Sequence, residues 1–162
     1  MLLNIKRIRT VKLPTIAYSD DSWIDFFIPT WLWFISLINS KWNKEAIIAQ
    51  DWVFEIPWHW RIIIPMWINI ELEKWFDLTL MNKSWIATKK WLILWAHLID
   101  NWYRWELLVN LINTNPYPVL ITEWTKIVQW RVWKVEDKQI AEITDLTTSE
   151  RWSDWFGSTW LT

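Results

Sequence analysis

The sequence is nearly devoid of glycine. Its 162 residues contain one, whereas average usage of about 7% predicts roughly 11. Turns, bulges and phosphate-binding loops need a positive φ or a backbone without a Cβ, and glycine usually supplies both. The chain instead carries 20 tryptophans, several in turn-like contexts such as Asn101-Trp102 and Glu123-Trp124-Thr125. We therefore interpret tryptophan as standing at positions that the fold reserves for glycine.

Cysteine is absent, which excludes disulfides, cysteine-ligated zinc and thiol nucleophiles and fits a reducing cytoplasm. Long hydrophobic runs are also missing, since the most apolar stretch, residues 28–38, is well short of the ~20 residues that span a bilayer. The net charge of −1 gives no broad attraction to nucleic acid or to an anionic membrane. Length and composition thus predict one cytoplasmic domain without a nucleic-acid or membrane partner.

Short runs rich in Ile, Val, Leu and Thr dominate the chain and are separated by Pro, Asn, Asp or Trp. The strands that they predict cover residues 3–10, 61–64, 68–72, 76–80, 92–94, 106–113, 119–122, 126–135 and 139–143. Many short strands at close spacing favour an all-β sandwich or barrel. Helical turns are expected at 84–90, and the apolar spacing of 34–48 is also close to helical. With glycine at 102, Asn101-Trp102 would form a two-residue hairpin turn.

The C-terminal segment 144–162 is polar and lacks the periodicity of a core element. We expect it to be an exposed arm that follows a β domain of residues 1–143. With glycine at its three tryptophans, the arm would form a glycine-rich anion nest, to which Arg151, Ser158 and Thr159 add donors. A flexible polar tail without a ligand is the alternative for such a composition.

Five segments, in chain order, resemble the five motifs of the trimeric deoxyuridine triphosphatases (dUTPases). They are Ser22-Trp23-Ile24-Asp25, Asn82-Lys83-Ser84-Trp85-Ile86-Ala87, Ile99-Asp100-Asn101-Trp102-Tyr103-Arg104-Trp105-Glu106, Trp124-Thr125-Lys126-Ile127-Val128-Gln129, and residues 151–160. The resemblance covers roughly residues 5–27 and 55–160. It is specific, because the third and fifth motifs are long and few other families carry both.

The resemblance implies an all-β jelly-roll fold and hydrolysis of dUTP to dUMP and pyrophosphate by water attack on the α-phosphorus. This activity keeps uracil out of DNA and supplies dUMP for thymidylate synthesis. Asp100 would be the base that activates the water, and Tyr103 would stack on the deoxyribose and exclude a 2′-hydroxyl. Outside this motif, Asp100 would merely start a turn and Tyr103 would be an aromatic packed across strands.

The resemblance also implies how the triphosphate is bound. Phe156 would lie over the uracil, and Mg²⁺ would bridge the phosphates as the cofactor. Asp25 is a candidate to hold this ion through water, with a structural hydrogen bond as the alternative. The sites would lie at the subunit interfaces of a homotrimer. The residues implied to bind the substrate's phosphates are Lys83, Ser84, Gln129, Arg151, Gly157, Ser158 and Thr159.

Some positions depart from the family pattern. Lys83 stands where arginine is frequent, which would reduce a bidentate phosphate contact to a point charge. His97 and Asp154 stand where glycine is frequent, and residues 28–54 look like an insertion.

Two other functions stay open. A dCTP deaminase has the same fold, but its Arg-Ser-Ser motif is absent at 82–87. A non-catalytic β-sandwich binding or regulatory module is favoured if the tryptophans are physically present.

Thirteen tryptophans fall where the resemblance expects glycine, and the other seven, including Trp52, Trp130 and Trp133, lie in poorly matched or variable positions. A left-handed backbone costs a non-glycine residue roughly 1–2 kcal/mol, and overpacking costs about 1–3 kcal/mol per site. Tryptophan at half of these sites would cancel a typical stability of ~5–15 kcal/mol. The sequence therefore predicts a gene in which UGA encodes glycine. The thirteen are Trp23, Trp58, Trp67, Trp75, Trp85, Trp91, Trp95, Trp102, Trp105, Trp124, Trp152, Trp155 and Trp160.

Overall fold

The computed structural model describes residues 3–30, 32, 34–38, 44–145 and 147. This part of the chain forms thirteen strands and a short π-helix, Ile86–Lys90. The strands are β1 Leu3–Arg7, β2 Thr15–Ile16, β3 Ile24–Phe27, β4 Phe34–Ile38, β5 Lys44–Ile48, β6 Val53–Ile56, β7 Arg61–Leu72, β8 Phe76–Asn82, β9 Leu92–Leu94, β10 Leu98–Ile99, β11 Glu106–Asn113, β12 Val119–Thr122 and β13 Lys126–Lys134.

Two antiparallel sheets make up the domain. The first sheet has the order β5-β4-β7-β11-β9, with β1 also paired to β7, and the second has the order β10-β8-β13-β3-β2. A two-stranded ribbon of β6 and β12 completes the structure. Buried side chains from both sheets form one core, to which β7 contributes Ile62 and Ile64 and β8 contributes Leu78 and Leu80. The alternation of buried and exposed residues along β11 and β12 is what a strand with one face on a core requires.

Strand β7 is continuous over twelve residues, so the prediction of two strands, 61–64 and 68–72, is wrong. The prediction placed a break at Pro65, because proline has no N–H to donate to the ladder of a sheet. On one side β7 pairs with β4 at residues 61–63 and with β1 at residues 68–72. Pro65 lies in the gap between these two ladders, and on the other side of β7 it pairs with Leu108 of β11.

Residues 28–54, predicted as an insertion, contain the hairpin of β4 and β5. Strand β4 joins this hairpin to the first sheet by pairing with β7. A helix over 34–48 was therefore the wrong expectation. The buried residues Ile35 and Leu37 alternate with half-buried neighbours, and cross-strand pairing along the whole of β4 satisfies the backbone that a helix would have satisfied internally.

Two further local predictions have opposite outcomes. The helical turn expected at 84–90 is confirmed by the π-helix at its C-terminal end. A strand at 139–143 was the wrong expectation, because these residues are exposed and make no ladder. Ile140 is fully exposed, so this run has no core to cover its apolar side chains. No helix in the described ranges is long and apolar enough to cross a membrane.

Seven non-glycine residues in the described ranges have a positive φ, between 49° and 71°. Five of the seven are tryptophan, and the other two are Asp51 and His59. For a bulky side chain this conformation is an outlier that costs free energy. The five are Trp52, Trp67, Trp75, Trp91 and Trp124.

Trp130 is strained in a different way. Its side chain is completely buried, and its indole N–H has no hydrogen-bond partner. The ring centroid lies 3.8 Å from that of Phe26 in an edge-on arrangement, whereas aromatic pairs prefer about 4.5–7 Å. The core is therefore overpacked at this position.

Candidate active site

Asp100 follows β10 and begins a tight turn. The Tyr103 backbone N–H donates to the Asp100 carbonyl at 3.2 Å, and the Trp102 backbone N–H donates to Asp100 Oδ1 at 2.9 Å. This side-chain contact fixes the direction of the carboxylate. Asp100 is exposed, so water can reach the group that the sequence predicts as the base.

The predicted turn at Asn101-Trp102 is confirmed, but the predicted hairpin around it is wrong. Neither residue has a positive φ, because the Asp100 side chain closes the turn without the mirror-image geometry that glycine would favour. The flanking strands do not pair with each other, since β10 pairs with β8 and β11 pairs with β7 and β9. The turn therefore connects the two sheets.

Tyr103 is fixed beside Asp100. Its hydroxyl donates to the Glu106 carbonyl at 2.5 Å, and its ring meets Trp105 edge-on with centroids 5.6 Å apart. Burial raises the pKa of the Tyr103 phenol, and the negative charge of Glu106 raises this pKa further. The phenol thus stays protonated as a donor, which holds the ring in place.

A cavity of about 310 Å³ adjoins the turn. Arg104 crosses its edge, donating to the Asn101 carbonyl at 2.6 Å and approaching Glu71 at 3.4 Å. Two tryptophans that line the cavity, Trp75 and Trp102, are among the thirteen expected to be glycine, and glycine at these positions would widen the cavity. It is lined by Leu72, Lys74, Trp75, Asn101, Trp102 and Arg104.

Asp25, in β3, lies in a second cluster of polar residues. Lys83 contacts Asp25 Oδ1 at 2.5 Å and Lys126 contacts Oδ2 at 2.8 Å. Burial would raise the pKa of Asp25, but the hydrogen bonds and charges of the two lysines outweigh burial and lower this pKa. The ionised carboxylate therefore stabilises the fold above the pKa of an unfolded aspartate, and this contribution is lost as the pH falls through the folded pKa.

Gln129 and Ser84 lie close to this cluster. Gln129 is the cross-strand partner of Asp25, and its Nε2 donates to the Asn82 carbonyl at 3.3 Å. Ser84 follows Lys83 and is exposed. The structure thus brings together four residues predicted from the second, fourth and first motifs. Lys126 is an addition that the sequence reasoning missed, although it lies inside the quoted fourth motif.

The structure does not bring Asp100 to this cluster. Ile99 pairs with Leu78 near the start of β8, whereas Lys83 directly follows the end of β8. Between Asp77, next to Leu78, and Lys83 the chain advances six residues, about 20 Å at roughly 3.3 Å per residue. Asp100 and the two lysines of one chain therefore lie at opposite ends of β8.

The remaining predicted residues lie outside the part of the chain that the structure describes. They are Arg151, Phe156, Gly157, Ser158 and Thr159. Within the described ranges, no three His, Cys, Asp or Glu side chains are grouped so that they could hold a metal ion. Asp25 does not fit a resident magnesium site, because two ammonium groups already neutralise its buried carboxylate.

Comparison with known proteins decides the family. Residues 47–160 match the family model described as dUTPase. The chain belongs to the dUTPase family. A deoxyuridine 5′-triphosphate nucleotidohydrolase of Hydrogenobaculum sp. is 30% identical over 101 residues, covering 61% of this chain and 70% of the relative. One of Gloeothece citriformis is 28% identical over 152 residues, covering 93% of this chain and 90% of the relative. The family predicted from the five motifs is confirmed.

The fold agrees with this family. The dUTPase of Staphylococcus bacteriophage 80alpha, solved with dUpNHpp, superposes with a TM-score of 0.74 at 14% identity, covering 97% of each chain. A mutant dUTPase from phage phi11 of S. aureus, solved to show the coordination of a structural Mg(II) ion, has a TM-score of 0.68 at 12% identity. It covers 90% of this chain and 98% of that one. The predicted all-β jelly-roll class is confirmed.

Proposed function

We propose that this dUTPase-family enzyme hydrolyses dUTP to dUMP and pyrophosphate with Asp100 as the base. The observation that carries the proposal is the exposed, hydrogen-bonded Asp100 carboxylate beside the fixed ring of Tyr103. Asp100 takes a proton from water, whose oxygen bonds to the α-phosphorus. The bond between the α-phosphorus and the oxygen that bridges to the β-phosphorus breaks, and pyrophosphate leaves with that oxygen.

Tyr103 is proposed to select deoxyribose. A ring whose hydroxyl is bound to the Glu106 carbonyl cannot easily move aside, so a sugar stacked on it has no room for a 2′-hydroxyl. Uracil would be recognised mainly by backbone groups around residues 97–109. The open cavity next to Asn101 and Trp102 gives the nucleotide access to this turn.

The site is proposed to form between subunits of a homotrimer. Asp100 and Lys83 are about 20 Å apart along β8, which exceeds the reach of one triphosphate chain. A second subunit would therefore supply Lys83, Ser84 and Gln129 to the Asp100 of the first. The arm, residues 144–162, would come from a third subunit and bring Arg151 and its glycine-rich segment to the phosphates.

Magnesium is proposed to arrive as the counter-ion of the triphosphate, bound through phosphate oxygens as part of the substrate. The pairing of Asp25 with two lysines argues against a magnesium site that is occupied before the substrate binds.

A cytoplasmic location fits both a nucleotide substrate and a chain without cysteine.

We also infer that the gene encodes these tryptophans with UGA and that its own cell inserts glycine. Four of the five tryptophans with positive φ belong to the thirteen chosen from the motifs, which is independent support. Trp52, with φ 64°, and the overpacked Trp130 extend the inference to two positions that the motifs left open. TGA codons are expected at these positions in the gene, whereas TGG or GGN codons would contradict the inference.

Pyrophosphate release tests the proposed activity. The chain made with glycine at the thirteen positions is expected to release pyrophosphate from dUTP and to use UTP about 10²-fold less efficiently, because the extra hydroxyl must displace Tyr103. Parallel assays measure ammonia from dCTP. Ammonia release without pyrophosphate would replace the hydrolase with a deaminase, and inertness toward both nucleotides would favour a non-catalytic module.

A further inference from the structure

Asp25 is one of two buried polar or charged side chains in the described ranges, the other being Asn113, and is only 4% exposed. Strand β13 pairs with β3 on one side and with β8 on the other. This pairing places Lys126, at the start of β13, and Lys83, just after β8, on opposite oxygens of the same carboxylate. The contact is therefore built by the sheet and is not a chance encounter of surface side chains.

The carboxylate and the ammonium groups differ in exposure. The Asp25 side chain is 6% exposed, whereas those of Lys83 and Lys126 are 25% and 46% exposed. An ammonium has three N–H donors, so each lysine retains donors beyond the one that it gives to Asp25. Asp25 thus directs the two lysines without using up their capacity to bind an anion.

The cluster carries excess positive charge. Two lysines and one aspartate leave a net charge of +1. The Lys12 ammonium also lies 3.8 Å from the centre of the Phe27 ring, which the Lys126 ammonium approaches at 5.8 Å. A divalent cation beside Asp25 would face these ammonium groups, whereas a polyphosphate would be attracted to them.

We propose that Lys126 is a second phosphate-binding lysine, and that Asp25 positions Lys126 and Lys83 for the triphosphate instead of binding magnesium. The proposal rests on the proposed hydrolysis of dUTP. Two lysines aimed by one carboxylate replace the bidentate contact that a single arginine at position 83 would make. Gln129, the strand partner of Asp25, adds a neutral donor at the same end of the sheet.

The first test compares Lys126→Met with Lys126→Arg and with Lys89→Met, a matched control on the π-helix. Lys126→Met is expected to raise the KM for dUTP about 10- to 100-fold, with a smaller change in kcat, because a charged hydrogen bond to the phosphates is lost in both ground and transition states. Lys126→Arg is expected to restore most of the affinity. If Lys126→Met behaves like Lys89→Met, the proposal is wrong.

The second test separates the positioning of lysines from metal binding. Asp25→Asn is expected to weaken the binding of dUpNHpp, measured by calorimetry, by a similar factor in EDTA and in Mg²⁺. A loss seen only in Mg²⁺ would make Asp25 a metal-binding residue and overturn the proposal. If Asp25→Asn does not fold, the binding of dUpNHpp to the Lys126 variants is measured in the same two buffers. Their loss of affinity should also be independent of metal.

These outcomes are distinguishable from failure of the proposed function. A full chain that binds pyrophosphate in EDTA, weakens about tenfold or more on Lys126→Met, and yet does not cleave dUTP would sustain the anion site while refuting the hydrolase. A chain that cleaves dUTP with unchanged KM after Lys126→Met would sustain the hydrolase while refuting Lys126 as a phosphate-binding residue.

Discussion

Asparagine in place of Asp100 is expected to lower kcat for pyrophosphate release from dUTP by about 10²- to 10⁴-fold, the usual contribution of a positioned base. An amide cannot take the proton of the attacking water. Its oxygen can still accept the backbone N–H of residue 102, as Asp100 Oδ1 does, so the turn should keep its shape. Steady-state kinetics on the chain with glycine at the thirteen positions provides the measurement.

Two controls belong to this experiment. Asp137→Asn changes an exposed aspartate beyond the end of β13 and should leave kcat unchanged. Binding of dUpNHpp to the Asp100 variant should stay within a few-fold of the parent value, since the base acts on water and not on the nucleotide. Full activity in Asp100→Asn would refute the proposed mechanism.

Replacement of Trp75, Trp91 and Trp124 by glycine is expected to stabilise the fold. All three have φ between 55° and 71°, and each residue is about half exposed, at 46%, 51% and 49%. Relief of the left-handed conformation gains roughly 1–2 kcal/mol per site, while little packing is lost. If the sites are independent, the triple variant should gain about 3 kcal/mol or more in free energy of unfolding, which corresponds to roughly 6–12 °C in Tm.

Trp133→Gly is the matched control. Trp133 is also 46% exposed, and its neighbour Arg131 stacks on it at 4.1 Å, as Lys74 stacks on Trp75 at 4.9 Å. It differs in lying within β13 without a positive φ. Glycine there should cost about 0.5–1 kcal/mol. If the triple variant is destabilised as Trp133→Gly is, in thermal or denaturant unfolding, backbone strain does not explain the tryptophans.

Trp67 has the same left-handed conformation but is buried. It has φ 55°, but the residue is only 8% exposed, and removing its ring would leave a cavity whose cost opposes the relief of strain. The same reasoning applies to the buried Trp130, where a cavity would replace an overpacked contact.

Local pattern was sufficient for much of the fold. Strands β9, β11 and β12 have the bounds expected from their apolar runs. In each case the strand ends where the apolar run ends. The motifs also led to the Asp100 turn and to Tyr103. Where local pattern failed, distant partners decided. Strand β7 continues through Pro65 because β11 pairs with this residue on one side, while β4 and β1 leave a gap for it on the other. Strand β4 is a strand because it pairs with the edge of β7.

The sequence by itself determined the family and the all-β class, since these depend on residue types at short spacings. It also singled out positions where a side chain is poorly tolerated, and the positive φ angles at Trp67, Trp75, Trp91 and Trp124 agree with that choice. Only the tertiary structure placed Lys126 on the carboxylate of Asp25, 101 residues away in the chain. It alone put Asp100 and the lysines at opposite ends of β8. Both facts arise from the pairing of strands distant in sequence, which no local spacing records.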